Sequence, residues 1–398
     1  MTSGIGGSDV ETELAGLTPP PGRPAPIAAG DFAARIDQAR ALTASLGADA
    51  LMVGAGASLR YFTGVSWAAT ERLVALLLPV TGRPVMICPA FELGSLSAEL
   101  RVEIDIRLWQ EDESPAALVG RALSGHVTLA LDPALPFALY SALKTDAPSL
   151  RVVDGAEIIQ GCRARKSPAE LALMRYAKQL TLDVHRRAGR ILRDGISTGE
   201  VKRFIDLAHR AAGADDGSTF CAVQFDRATA YPHGLPGEQY LREGDLVLID
   251  TGCRIDGYHS DITRTYVFGI PTADHRRIWD IEHEAQAAAF AAVEPGRPCE
   301  SIDKAARDVL ERHGLGPDYA LPGLPHRTGH GIGLQIHEGP YLVRGDKTPL
   351  APGMCFSNEP MIVIPDRFGI RLEDHMHVTE NGAAWFTEPS PSIDKPFP

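Results

Sequence analysis

Apolar and polar positions change their period several times along the chain, and the changes mark out its parts. Residues 1–30 are rich in Gly and Pro and carry no sustained period, which predicts a loose arm. Asp31 can cap a helix in which Phe32, Ile36, Leu42 and Leu46 recur at near-helical spacing. Short apolar runs then alternate with helical stretches. Residues 50–53, 72–79, 84–88, 104–109, 127–131 and 150–153 read as strands, and residues 115–123 and 136–143 as helices. This alternation predicts an α/β domain over residues 31–160.

The pattern changes after Arg163. Ser167-Pro168-Ala169-Glu170 is a helix start, with a capping Ser, a Pro at the first helical position and a Glu that completes a capping box. Helical periods follow from Pro168 to about Arg193 and over 198–212, 275–293 and 301–313. Strands fit 218–225, 354–364 and 370–378. Helices followed by long antiparallel hairpins predict an α+β domain over residues 161–398.

Its centre is residues 246–268. Leu246 to Ile249 is apolar enough for a buried strand, and Ile262 to Phe268 forms a second run. Asp256-Gly257 between them is a strong two-residue hairpin signal. Folding there sets Ile255 opposite Tyr258 and Asp250 opposite Thr263. Asp261 then shares a face with Asp250, at the ~7–8 Å spacing of diagonal neighbours. An acid ending an apolar strand requires a partner. Solvated acids at a hairpin mouth would satisfy the pattern, and so would a bound cation. A calcium loop fits poorly, because Gly252 and Arg254 stand where acids are needed.

Three further stretches bear on that choice. One is Tyr231-Pro232-His233-Gly234, a histidine in a turn. Another holds His326, His330 and His337 beside Gly329, Gly331 and Gly333, glycines that let backbone approach a site closely. The third holds Glu359 and Glu373, equidistant from Asp366 in the turn-like Pro365-Asp366-Arg367-Phe368-Gly369. A hairpin folded at that turn sets the two glutamates opposite one another, where they repel unless a cation lies between them. Four carboxylates with imidazole favour a hard or borderline ion such as Mn²⁺, while Zn²⁺ and Co²⁺ suit the same set. That much negative charge points to two ions, an arrangement that supports hydrolysis.

Size and charge narrow the remainder. The 398 residues suit two or three domains, and a formal net charge of −12 argues against a nucleic-acid partner. Six scattered cysteines read as reduced thiols of a cytoplasmic protein. Neither a signal peptide nor a membrane-spanning run is expected. No Gly-x-Gly-x-x-Gly turn or phosphate loop suggests a nucleotide.

The Asp250/Asp261 hairpin, the Pro-His233 turn, His330-Gly-Ile-Gly-Leu with His337, Glu359-Pro360 and Arg371-Leu-Glu373 together resemble the pita-bread metallopeptidases. The first domain resembles that of the creatinase, aminopeptidase P and prolidase branch, so the implied fold is a creatinase-like α/β domain followed by an α+β pita-bread catalytic domain. The resemblance implies that Asp250, Asp261, His330, Glu359 and Glu373 bind two metal ions, with Asp261 and Glu373 bridging. It gives Glu359 the proton of the attacking water. His233 and His337 would steady the tetrahedral intermediate, and His326 and Arg371 would line the subsite for the released residue. Tyr61 and Trp67 would reach a neighbouring subunit's site in a homodimer. Two positions depart from the pattern. Val363 stands where relatives place a tyrosine, and Phe225-Asp226 where Phe-Gly is more familiar.

The implied activity is hydrolysis of the bond before proline in small peptides with proline second, above all Xaa-Pro dipeptides. Alternatives within the fold are an aminopeptidase P acting on longer peptides and an enzyme acting on a small non-peptide metabolite. A non-catalytic binding module is the remaining alternative.

Overall fold

A computed structural model describes residues 2–123 and 127–398. The chain forms two units. One is Ile27–Arg163, and the other joins residues 2–26 to Ala164–Pro398.

The Ile27–Arg163 unit holds one sheet of six strands: β1 (Ala50–Gly54), β2 (Ala75–Pro79), β3 (Val85–Pro89), β4 (Asp105–Trp109), β5 (Thr128–Leu131) and β6 (Arg151–Asp154). Their order is β4-β3-β2-β1-β5-β6. The two pairings of β2 are antiparallel and the other three are parallel. Met52, Leu77, Ile87 and Leu129 meet Val119 and Leu143 of the helices in one core.

The larger unit carries the antiparallel strands. They are β7 (Ser218–Phe225), β8 (Leu246–Ile255), β9 (Tyr258–His259), β10 (Ile262–Val267), β11 (Gly329–Gly331), β12 (Glu338–Leu342), β13 (Cys355–Asn358), β14 (Met361–Ile364), β15 (Phe368–Arg371), β16 (Asp374–Thr379) and β17 (Gly382–Trp385). One sheet runs β10-β8-β7 with β9 on β8, a second runs β12-β11-β13-β16-β17, and β14 pairs with β15. Helices Pro168–Arg190, Thr198–Ala211, Ala273–Ala291 and Glu300–Arg312 belong to the same unit. The first opens on the capping box expected at Ser167 and Glu170.

The structure revises three expectations. Residues 354–364 and 370–378 are not continuous strands. Each breaks in two, at Glu359-Pro360 and at Leu372-Glu373, so the hairpin passes from one sheet to another while keeping its register. Proline has no N–H for a ladder, which explains the first break. Residues 2–26 are not a loose arm; Met1 lies outside the described residues. Thr2 N and Oγ1 both donate to Gly269 O, Gly6 N donates to Gly189 O, and Tyr176 Oη donates to Pro20 O. Gly and Pro exclude long helices and strands, but they do not prevent a strap from bonding along its backbone. The unit boundary after Arg163 also replaces the expected boundary after residue 160, and the smaller unit begins at Ile27 rather than residue 31.

Candidate metal centre

The 246–268 hairpin has the register expected of it. Ile255 faces Tyr258 and Asp250 faces Thr263, and no bulge intervenes. Asp256 and Gly257 carry the left-handed φ values, +48° and +80°, that a two-residue turn requires. Between β9 and β10, the Ser260 carbonyl folds over Gly252, where a Cβ would lie 1.9 Å from it. That crossing interrupts the ladder at Asp261. The 359–373 hairpin reaches the same place, because Glu373 N donates to Thr263 O at 3.1 Å.

The strand breaks bring the predicted donors together. His330 Nε2 lies 3.1 Å from Glu359 Oε1 and 3.6 Å from Asp261 Oδ2. Single donor atoms of His330, Glu359 and Glu373 lie within 4.8 Å of one another, as do those of Asp261, His330 and His337. The His330 Nδ1 lies 3.0 Å from Gly331 O, a group that can only accept, and Nε2 faces the carboxylates. Glycine makes this approach possible. A Cβ would lie 2.1 Å from Ser357 O at Gly329 and 2.4 Å from Glu338 O at Gly331.

Cations fit this donor set. Asp250 Oδ1, Asp261 Oδ1, Glu373 Oε1 and His330 Nε2 are buried, with no hydrogen-bond partner among the described residues. Burial pushes the carboxyls of Asp261 and Glu373 well above the ordinary carboxylate range, and the neighbouring carboxylates add to it. Asp250 is raised by burial, against which Arg371 works. Burial also acts on Glu359, but His330, His326 and Arg371 outweigh it and hold this carboxyl at about 2. Unpaired buried acids that repel one another are what bound cations would relieve.

Other predicted residues lie around this cluster. The His337 ring is 4.0 Å from that of His330, and burial beside His330 lowers its pKa to about 4. His233 is exposed in its turn. His326 is half-buried, and its carbonyl accepts from Arg307. Arg371 is buried and bonded rather than standing open for a substrate carboxylate. Its Nη2 donates to Asp250 Oδ2 at 2.6 Å and its Nε to Thr263 Oγ1 at 3.1 Å. Tyr61 is buried in its own unit, with its hydroxyl donating to Cys162 O and the Arg35 guanidinium over its ring. Trp67 is half-buried.

Both departures have a structural counterpart. Val363 is packed into the core opposite Gly369, where it offers no hydroxyl. Asp226 adopts φ +46°, a conformation that glycine meets without strain and that aspartate tolerates better than most residues.

Sequence reasoning missed several supporting groups. Thr263 Oγ1 donates to Glu373 Oε2 at 2.8 Å. Arg264 and Asp374 form a fully buried pair at 2.7 Å, and Arg264 also donates to Glu373 O. His375 is fully buried near Glu373. A reading of face periodicity carried past Glu373 would have reached His375.

Residues 172–380 match metallopeptidase family M24, and residues 35–165 match the creatinase/prolidase N-terminal domain. The chain belongs to metallopeptidase family M24, with the creatinase-type first domain and the pita-bread catalytic domain expected from its motifs. It is a metallopeptidase, of a family that works with divalent metal ions, and the cluster supplies candidate donors. The probable dipeptidase PepE of Mycobacterium tuberculosis is 38% identical over 88% of this chain and 93% of its own length. The Xaa-Pro dipeptidase of Lactobacillus helveticus is 32% identical over 83% of this chain and 90% of its own. The crystal structure of dipeptidase PepE from Mycobacterium ulcerans superposes with a TM-score of 0.84 at 35% identity, covering 92% of this chain and 97% of that one. For the recombinant prolidase of Thermococcus sibiricus the TM-score is 0.82 at 29% identity, over 90% and 97%.

Proposed function

We propose that the protein is a dinuclear-metal hydrolase that cleaves the peptide bond before proline, with Xaa-Pro dipeptides as its substrates. The observation that carries this reading is the set of buried, unpartnered donors on Asp250, Asp261, His330 and Glu373, with Glu359 Oε1 beside His330. Relatives named dipeptidase and Xaa-Pro dipeptidase support the substrate class. Divalent ions held by these residues would supply Lewis acidity and an acidified water.

The chain's own groups supply the rest. Glu359, held ionised, accepts the proton of the attacking water on its carboxylate. His337, held neutral near pH 7, donates an N–H toward the developing oxyanion, and His233 assists from its turn. His326 and Arg371 line the side for the released residue, Arg371 exchanging its bond to Asp250 for the product carboxylate. Mn²⁺ is the expected ion, with Zn²⁺ or Co²⁺ as substitutes. A homodimer in the cytoplasm completes the reading. The half-buried Trp67 is available to a partner, and the six unpaired cysteines suit a reducing compartment.

The test is release of proline from Xaa-Pro dipeptides and Xaa-Pro tripeptides, with Mn²⁺ added and after chelation. Metal-dependent cleavage of dipeptides, reduced about a thousandfold or more in Asp261→Ala, is the expected result. Cleavage of tripeptides alone would move the assignment to an aminopeptidase P. No release from any peptide, with metal bound, would overturn the peptidase reading in favour of a small-metabolite substrate.

A further inference from the structure

The strand that follows Glu373, β16, brings another side chain beside it. His375 lies two positions on, opposite Ser357 in the β13–β16 register. Its ring is fully buried, and neither Nδ1 nor Nε2 has a hydrogen-bond partner among the described residues. The neighbouring buried cation, Lys178, spends its Nζ on the His259 carbonyl at 3.0 Å. Glu373 Oε1, also unpartnered, lies 4.0 Å from His375 Nε2. Asp261, Glu373 and His375 each offer a donor atom within 4.8 Å of the other two.

Leaving a buried polar group unsatisfied costs about 1–3 kcal/mol, and such groups are rare unless they serve a ligand. An apolar side chain would fill the same space without that cost. Two donors on opposite sides of an ion, each at ~2.1 Å, stand ~4.2 Å apart. The 4.0 Å between Nε2 and Oε1 is therefore within the reach of one ion.

We propose that His375 is a further protein donor to the metal centre, adding a nitrogen on the Asp261–Glu373 side. This inference rests on the metal-centre reading above. His330 supplies nitrogen with Glu359, so the two positions would each have an imidazole. That shifts the preference of the His375 position away from hard ions and toward Co²⁺ and Zn²⁺.

The test uses the full chain, stripped of metal and titrated with Co²⁺ while visible absorption and heat are recorded. Wild type, His375→Leu, His375→Gln and Asp261→Ala are compared, and thermal unfolding is followed with and without metal. In both His375 variants we expect altered Co²⁺ absorption bands and an affinity for one ion about tenfold or more weaker. The metal-free His375→Leu protein should unfold at the wild-type temperature or above it, while its gain in Tm on metal loading shrinks. Unchanged Co²⁺ bands and affinity would overturn the proposal. So would a fall in metal-free stability with the full gain on loading, the signature of a packing residue. If His375→Leu fails to fold, His375→Gln, which keeps volume and polarity, decides by the same readings. Loss of metal in Asp261→Ala with unaltered His375 variants would sink this inference alone. A wild type that takes up no metal would sink the metal-centre reading with it.

Discussion

At the scale of single residues, two histidines near the centre link its burial to acid stability. His185 Nε2 lies 2.9 Å from Ile262 O, and His209 bonds Thr181 and Ser218. Burial lowers the pKa of His185 from 6.5 to about 3, with Arg264 adding to it, and lowers that of His209 to about 4. The unfolded chain therefore binds these protons more readily than the folded protein does. Stability is intact above the unfolded value of 6.5 and is lost as pH falls toward the folded values. Each histidine should contribute a loss of about 1.4 kcal/mol per pH unit across that window. Denaturant unfolding between about pH 7 and pH 5 should show a shallower slope in His185→Gln and shallower still with His209→Gln added. Equal slopes in all three proteins would mean that these rings do take up protons in the folded state. Neither role was readable from the sequence, because a histidine's partners come from other elements. The pairing of Asp250 with Thr263 and the register that sets Glu359 opposite Glu373 were readable, because hairpin register is simple counting from a turn, whereas His330 stood out only by its glycine-rich stretch and the five-donor set only by the resemblance. The hold on the Tyr61 hydroxyl was silent for the same reason as His185: its partner, the carbonyl of Cys162, lies far along the chain.

At the scale of elements, the centre depends on strands that stop pairing at chosen points. β8 is long and regular, and the apolar run with Asp256-Gly257 made it legible down to the Asp250–Thr263 pair. The interruptions were not legible, since they arise where another backbone crosses. Gly252 shows this. Its missing Cβ lets the Ser260 carbonyl pass, and Cys253 N then donates to Ser260 Oγ at 2.8 Å, which sets the turn of chain that delivers Asp261. Gly252→Ala would drive a methyl into backbone that has no rotamer to escape through. The expected cost is on the order of 3 kcal/mol, read as a fall of roughly 5–10 °C in Tm. Metal affinity should fall as well, because the strain is relieved by moving the Ser260–Asp261 segment. Calorimetric titration beside thermal unfolding checks both. A variant with lowered Tm but wild-type metal affinity would show that Asp261 is positioned independently of Gly252.

At the scale of the whole molecule, the N-terminal strap returns to the unit from which the Ile27–Arg163 unit separates it in sequence. Composition pointed to disorder there, and it misled because the strap is held by charge pairing and backbone bonds rather than by an apolar period. Glu13 is 6% exposed and meets Arg187 at 3.2 Å and Arg190 at 3.5 Å. Asp9 caps the short Val10–Ala15 helix, Arg187 Nη2 donates to Gly16 O, and Arg23 pairs with Asp215 at 3.0 Å. These contacts fall along the Pro168–Arg190 helix and its surroundings, and none involves a metal donor. Deleting residues 2–16 should therefore lower stability without altering the chemistry. Several hydrogen bonds at about 1 kcal/mol each, together with a partly buried ion pair, give an expected loss on the order of 2–4 kcal/mol, or roughly 5–15 °C in Tm. Metal stoichiometry should stay at the wild-type value. Activity per folded molecule should remain within about twofold, since no group of the strap touches the reacting atoms. Glu13→Ala in the full chain separates the causes. If the ion pair dominates, this substitution reproduces most of the loss; if the backbone bonds dominate, it reproduces little and the deletion much. An unchanged Tm after deletion would mean that the strap adds nothing to the stability of the catalytic unit.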